Sequence, residues 1–215
     1  MTRKKKIPKF PDDYLGNKAK EYNTLKWMEK NQKETTLRCV NYLFDSNLGD
    51  YLHKDYSKYN ILDLGCGTGF SSEILLEFGF NVIAVDILED MILKINKKRE
   101  NNNNSVFELI LASITDLPLR SYSFNFIISI SAYNFITHGK QSISEIKKVL
   151  NDTAIYLYEL LKKKGRLVIE FYPSNEKELN LFLSSFKNNN FDGFIIKDNI
   201  YQKGGQTFLL LKKLS

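Results

Sequence analysis

From residue 60 onward the chain alternates short apolar runs with helix-length amphipathic segments, and few folds accept that order. The runs are NILDLG (60–65), NVIAVD (81–86), VFELILA (106–112), FNFIISIS (124–131), RLVIEFY (166–172), FDGFIIKD (191–198) and QTFLLLKK (206–213). Segments 70–79, 88–100 and 142–164 lie between the first five, and 175–189 follows the fifth. Several runs are almost continuously apolar, the pattern of strands covered on both faces. This order predicts an α/β fold: a doubly wound, mostly parallel sheet of seven strands. The last two runs, joined through KGG at 203–205, predict an antiparallel C-terminal hairpin. The tracts NNNN (101–104) and NNN (188–190) read as turns rather than interdomain linkers.

Ahead of this pattern, residues 1 to about 16 are broken by Pro8, Pro11 and Gly16. Residues 17–44 are helical in character but polar in their first half, which suggests two helices with a joint near Asn31. We therefore expect a tail and helical cap over 1–59 and a single globular core over 60–215. With 215 residues, 43% of them hydrophobic, such a core is affordable.

No apolar run reaches the roughly 18 residues of a membrane span, and the basic start MTRKKKIPKF lacks the apolar stretch of a secretory signal. Cys39 and Cys66 have no metal-ligand or disulfide-framework spacing. These features predict a cytoplasmic protein without membrane or metal. The net charge of +6 and pI near 9.1 permit an anionic partner such as nucleic acid without requiring one. The basic residues cluster at 3–6, 94–99 and 162–166.

The exit from the first strand carries the chemistry. ILDLGCGTGF (61–70) places Asp63 before Gly65, Gly67 and Gly69. Glycines in such a turn let backbone approach a ligand closely. Phe70 occupies the place of the last glycine in a dinucleotide fingerprint, and no Lys-Ser/Thr pair marks a phosphate loop. A carboxylate at Asp63 disfavours a pyrophosphate and favours an ammonium. Asp86 closes the second strand, where a carboxylate can accept both hydroxyls of a ribose. S-adenosylmethionine, with an amino group, a sulfonium and a ribose but no phosphate, suits both acids. The competing structural roles are a helix cap for Asp63, a turn residue for Asp86 and a small filler for Cys66.

LDLGCGTG and VIAVD resemble the first two motifs of class I S-adenosylmethionine-dependent methyltransferases, which have a Rossmann-like fold. LASITDLPLRSYSFNFIISISA (111–132) resembles the third and fourth. The resemblance implies that Asp63, Gly65, Gly67 and Gly69 hold the methionine end and Asp86 the ribose, with Cys66 among the cofactor-binding residues. Ile87, Ser113, Ile114 and Ser129 complete the cofactor set. Where the class often carries an Asp for the adenine amino group, this chain has Ser113; a hydroxyl or backbone carbonyl would then take that role.

A narrower resemblance rests on KAKEYNT, QKETTLRCVNYL, GCGTGFSSEIL, FIISISAYNF and VIEFYPSNEKELN. These look like the small-subunit ribosomal RNA guanine-N7 methyltransferases that modify eukaryotic 18S RNA. The family has Trp where this chain has Phe135, and its Lys/Arg-rich C-terminal extension is not matched within these 215 residues, as in a compact, archaeal-type version. The resemblance implies an acceptor base held by Tyr133, Phe135, Phe171, Tyr172 and Pro173, positioning and stacking groups without an acid or base. It offers Tyr22 and Arg38 for the methionine carboxylate. Lys4, Lys5, Lys6, Lys94, Lys97, Lys98 and Arg99 are candidate RNA contacts by charge. The third strand, VFELILAS (106–113), is predicted to be a sheet edge, and the resemblance implies that a small zinc-ribbon activator docks there as a heterodimer. Two other readings remain: a small-molecule methyltransferase, for example on a quinone precursor, and a ribosome-assembly factor that retains the fold.

Overall fold

The computed structural model describes residues 9–49, 51–96, 106–198 and 206–214. Seven strands form one sheet: β1 (Asn60–Leu64), β2 (Asn81–Asp86), β3 (Phe107–Leu111), β4 (Phe124–Ile130), β5 (Leu161–Phe171), β6 (Phe191–Lys197) and β7 (Thr207–Lys213). Their order is β3-β2-β1-β4-β5-β7-β6. The first five run parallel, while β7 pairs antiparallel with both β5 and β6. The order reverses between β1 and β4, the switch point where such sheets bind ligands. β3 ends the sheet, as expected from the sequence.

Each strand feeds both faces by alternation. Leu62, Leu64, Ile127, Leu167, Ile169 and Phe171 pack with α5 (Ile143–Leu160) and α6 (Glu176–Lys187). Ile61, Phe126, Ile128, Val168 and Phe208 face the opposite layer of α2 (Lys26–Leu43), α3 (Phe70–Phe78) and α4 (Glu89–Asn96). Ser142 and Glu145 close a reciprocal capping box at the start of α5, and the Asn175 side chain caps α6.

Three details depart from the expectations. The cap joint falls at Leu25, between α1 (Gly16–Thr24) and α2, not at Asn31. The polar first half of α2 is polar because Asn31 and Gln32 face a cavity, not because the helix breaks there. Second, α5 ends at Leu160 and β5 starts at Leu161 without a loop, so Lys162, Lys163 and Lys164 belong to the strand. Lys164 has φ +61 and the β4–β5 register slips between Phe124 and Phe126, the marks of a bulge.

The third departure concerns charge. Arg166 is buried, and its guanidinium donates to the carbonyls of Leu43 at 2.8 Å, Asp45 at 3.1 Å and Gly49 at 3.3 Å. It ties the connector after α2 to the sheet and is not a surface cation. Lys213 is treated alike, donating to the carbonyls of Tyr158 and Leu161.

Candidate functional site

A cavity of about 830 Å³ lies beyond the carboxyl ends of β1, β2, β3, β4 and β5. Its floor at the β1 end is backbone. Gly65 and Cys66 donate their N–H groups to the Val85 carbonyl at 2.8 and 3.0 Å, which fastens the glycine loop to β2. Gly65 has φ +70, and a Cβ there would sit 2.3 Å from the Ala132 Cβ, so no side chain fits. Gly67 also has positive φ, but a Cβ there would meet open space. Asp86 borders the cavity and accepts from Gly67 N–H and Leu88 N–H, both at 2.9 Å. Burial pushes its carboxyl up, and those backbone donors pull it back.

Of the predicted cofactor set, Gly65, Cys66, Gly67, Asp86, Ile87, Ser113 and Ile114 line the cavity. The Ser113 hydroxyl lies 2.8 Å from the Thr115 hydroxyl. Asp63 does not line it. Strand alternation turns Asp63 to the Ile61 face, under the first turn of α3, where Ser71 and Ser72 hydroxyls both donate to Oδ2 at 2.6 Å. Burial raises its carboxyl to about 6, and Oδ1 has no hydrogen-bond partner among the described residues. Asp63 therefore anchors the helix that follows the loop. Gly69, with φ +86, is the residue before that helix, and Ser129 donates to the Leu64 carbonyl inside the sheet; neither borders the cavity.

The aromatic set divides in the same way. Phe135 and Tyr172 line the cavity. Tyr133 is fully buried against Phe182 and Phe186, and Phe171 packs on Phe182 with centroids 5.1 Å apart, so both are core residues. Pro173 is half-buried outside the cavity wall. Arg38 points elsewhere: its guanidinium pairs with Asp198 and donates to Gln206 Oε1 at 2.9 Å. The side chain of Tyr22 and residues Lys4, Lys5, Lys6, Lys97, Lys98 and Arg99 lie outside the described residues; Lys94 is half-buried at the last turn of α4.

Several cavity residues carry no local sequence signal. Phe10 stacks on Phe135 at 4.6 Å with planes 16° apart and meets His138 edge-on at 5.4 Å. Tyr14 joins the same wall, its hydroxyl pushed up to about 12 by burial and by the nearby charges of Asp13 and Asp86. Trp27, Met28, Asn31 and Gln32 arrive from α2, and Ser131 from the end of β4. A lone acid in the apolar run RLVIEFY was the one visible hint of a further group. Glu170 is completely buried, and accepts from Ser131 Oγ at 2.7 Å and Gln206 Nε2 at 3.2 Å.

Residues 62–169, half of the chain, match the profile of a family described as a methyltransferase domain. The chain belongs to this family. The chain is 36% identical over 141 residues to an 18S rRNA guanine-N7 methyltransferase from Saccharomyces cerevisiae, covering 65% of this chain and 50% of that protein. An 18S rRNA guanine-N7 methyltransferase from Arabidopsis thaliana is 32% identical over 153 residues, covering 70% and 51%. A demethylmenaquinone methyltransferase from Clavibacter sepedonicus is 36% identical over 109 residues, covering 51% and 39%. The chain thus spans about half the length, or less, of these curated relatives. Among solved structures, magnesium protoporphyrin IX methyltransferase from Synechocystis, with bound S-adenosylmethionine, superposes with TM-score 0.65 at 17% identity over 94% of each chain. The geranyl diphosphate C-methyltransferase of Streptomyces coelicolor gives TM-score 0.64 at 14% identity, covering 95% of this chain and 86% of its own. These structures share the fold. The donor set here fits S-adenosylmethionine: the tight glycine floor admits an extended ligand and Asp86 faces it as an acceptor for a diol.

Proposed function

We propose that this methyltransferase domain uses S-adenosylmethionine to methylate N7 of a guanine in small-subunit ribosomal RNA. The observation that carries the proposal is the division of one cavity. A glycine floor with Asp86 lies at one end and the aromatic pair Phe135 and Tyr172 at the other. The 18S rRNA guanine-N7 methyltransferases among its relatives, aligned over 64–70% of this chain, favour RNA as the acceptor.

When bound, the cofactor supplies an electrophilic methyl group on a sulfonium. Guanine N7 brings an exposed lone pair and loses no proton in forming the new bond, so no general base is needed. The protein's work is then orientation and exclusion of water. Asp86 holds the ribose hydroxyls, Ser113 and Ile114 flank the adenine, and Phe135 and Tyr172 hold the base at the far end. Base-on-aromatic stacking contributes about 1–3 kcal/mol.

The partner reading belongs here too. β3 ends the sheet and leaves Val106 and Leu111 more than half exposed, a surface suited to strand addition. A small zinc-ribbon activator docked along 106–113, giving a heterodimer, fits that edge. The proposed setting is cytoplasmic ribosome assembly; no helix among the described residues is long and apolar enough to cross a membrane. A second reading, a small-molecule methyltransferase, draws on the largely apolar cavity and on the demethylmenaquinone methyltransferase relative.

Transfer of labelled methyl to small-subunit RNA or subunits, with the chain co-produced with the zinc-ribbon partner, tests the proposal. The expected product is a single N7-methylguanine, lost on Asp86→Ala. Cofactor binding with no transfer to RNA would move the assignment to a small acceptor.

A further inference from the structure

Ser131 stands out in the cavity wall. It is not glycine, yet it holds φ +53, a conformation that costs energy and persists only where surroundings enforce it. Two contacts enforce it here. The Ser131 N–H donates to the Glu170 carbonyl at 3.0 Å, and its hydroxyl donates to Glu170 Oε2 at 2.7 Å. Glu170 is itself fixed: its Oε1 accepts from Gln206 Nε2, which also donates to Thr35 Oγ1 at 2.7 Å on α2. The Tyr172 hydroxyl, on the same face of the chain as Glu170, interacts with the same carboxylate.

A serine hydroxyl has one proton to donate and two lone pairs. Burial pushes the Glu170 carboxyl up and the hydrogen bonds it accepts from Ser131, Tyr172 and Gln206 pull it back; as the acceptor from Ser131 Oγ it commits the Ser131 proton. What Ser131 shows to the cavity is therefore acceptor capacity alone. The Tyr172 hydroxyl is biased in the same sense. A ligand edge facing this wall must bring donors. Ser131 and Tyr172 follow β4 and β5, whereas Asp86 ends β2. At about 4.8 Å per strand, the wall lies two to three strands, roughly 10–15 Å, from the ribose-binding acid.

We propose that Ser131 is a specificity-determining residue that reads the Watson–Crick edge of the acceptor guanine, and that Glu170 is the positioning residue that makes it an acceptor. This rests on the guanine-N7 reading and deepens it. A guanine that turns N7 toward the methyl group keeps N1–H and N2–H₂, both donors, on a separate edge, with N1–H roughly perpendicular to the N7 lone pair, and that edge is the one a wall of acceptors would read. Adenine places an acceptor, N1, where guanine has N1–H, and inosine lacks the 2-amino group. Glu170 touches neither base nor cofactor; it works through Ser131 and Tyr172.

The test uses the full chain with its partner and short single-stranded RNAs carrying one guanine, one inosine or one 7-deazaguanine at the same site. Methyl transfer is measured, and binding in the presence of S-adenosylhomocysteine is followed through Trp27, the single tryptophan, which lines the cavity. Wild type is expected to favour guanine over inosine about tenfold. Ser131→Ala should reduce that preference to within twofold while S-adenosylhomocysteine affinity stays unchanged. Glu170→Gln, whose amide brings a donor of its own, should weaken the preference as well, with Glu170→Asp restoring part of it. A Ser131→Ala protein that binds S-adenosylhomocysteine normally and keeps the tenfold preference overturns the inference and leaves the guanine-N7 reading intact. Equal transfer to 7-deazaguanine, or no transfer to any RNA by wild type, sinks the guanine-N7 reading and this inference with it.

Discussion

The two ends of the cavity are built by different means. At the β1–β2 end the ligand surface is backbone and one carboxylate, supplied by residues 65–86, and held by hydrogen bonds within that stretch. At the β4–β5 end it is side chain, gathered from Phe10, Asn31, Ser131, Phe135 and Tyr172, and braced by Gln206. The first end tolerates almost no change at Gly65, where a Cβ would meet Ala132. The second is a mosaic in which each member is replaceable in principle. A cofactor shared by a whole family calls for the former, and an acceptor particular to one branch suits the latter.

The sharpest way to break this comparison is at the floor. Gly65→Ala must place a methyl 2.3 Å from the Ala132 Cβ at positive φ, so we expect a loss of about 2–5 kcal/mol and of cofactor binding. Gly67→Ala, with open space around it, should lose only about 1 kcal/mol. Chemical denaturation of the pair would separate crowding from conformation; equal losses would contradict the described loop. Next is Asp86→Ala, which strands two backbone N–H groups and removes the proposed ribose acceptor. Calorimetry with S-adenosylhomocysteine should show a weakening of about 100-fold or more.

At the acceptor end the effects should be smaller and should spare the cofactor. Phe135→Ala removes a ring face that Phe10 already covers by stacking. We expect the KM for acceptor RNA to rise about tenfold, with S-adenosylhomocysteine affinity unchanged. A fall in cofactor affinity instead would show that the two ends are not separable. The smallest effect belongs to Arg38→Ala. Its partners are Asp198 and Gln206, and the side chain is substantially exposed, so a stability loss below about 1 kcal/mol and normal cofactor binding are expected.

That ranking also explains what could be read from the chain alone. All seven strands were legible because each is a short, largely apolar run bounded by turn residues, and that pattern is a local property. The places of Gly65 and Asp86 at the cavity were legible because a tight strand exit and a strand-end carboxylate impose residue types at fixed spacing. Asp63 was misassigned for an equally local reason. A carboxylate one residue before the loop suits a ligand ammonium or a pair of helix hydroxyls, and only the direction of alternation at β1 decides for Ser71 and Ser72. Tyr133 and Phe135 follow the same strand, yet one is core and the other faces the cavity, a difference set by α6 packing on Tyr133. Phe10 and Asn31 were invisible because their roles depend on contacts more than a hundred residues away, while Glu170 showed only as a lone acid in an apolar run, its partners Ser131 and Gln206 lying on other segments. Arg166 shows the same limit: within a basic cluster nothing marks it as the one drawn inside by three carbonyls.

The strand order carries a consequence in time. β7 inserts between β5 and β6, although it is the last of these seven strands to be made. Synthesis is vectorial, and chains begin to organise as they emerge. The predicted cofactor residues that line the cavity all lie at or before residue 114, on strands that can pair once β4 is out. The brace on Glu170 must wait for residue 206. A nascent chain of this kind would acquire its grip on the methyl donor before its ability to choose an acceptor, and selectivity would be the final property to mature.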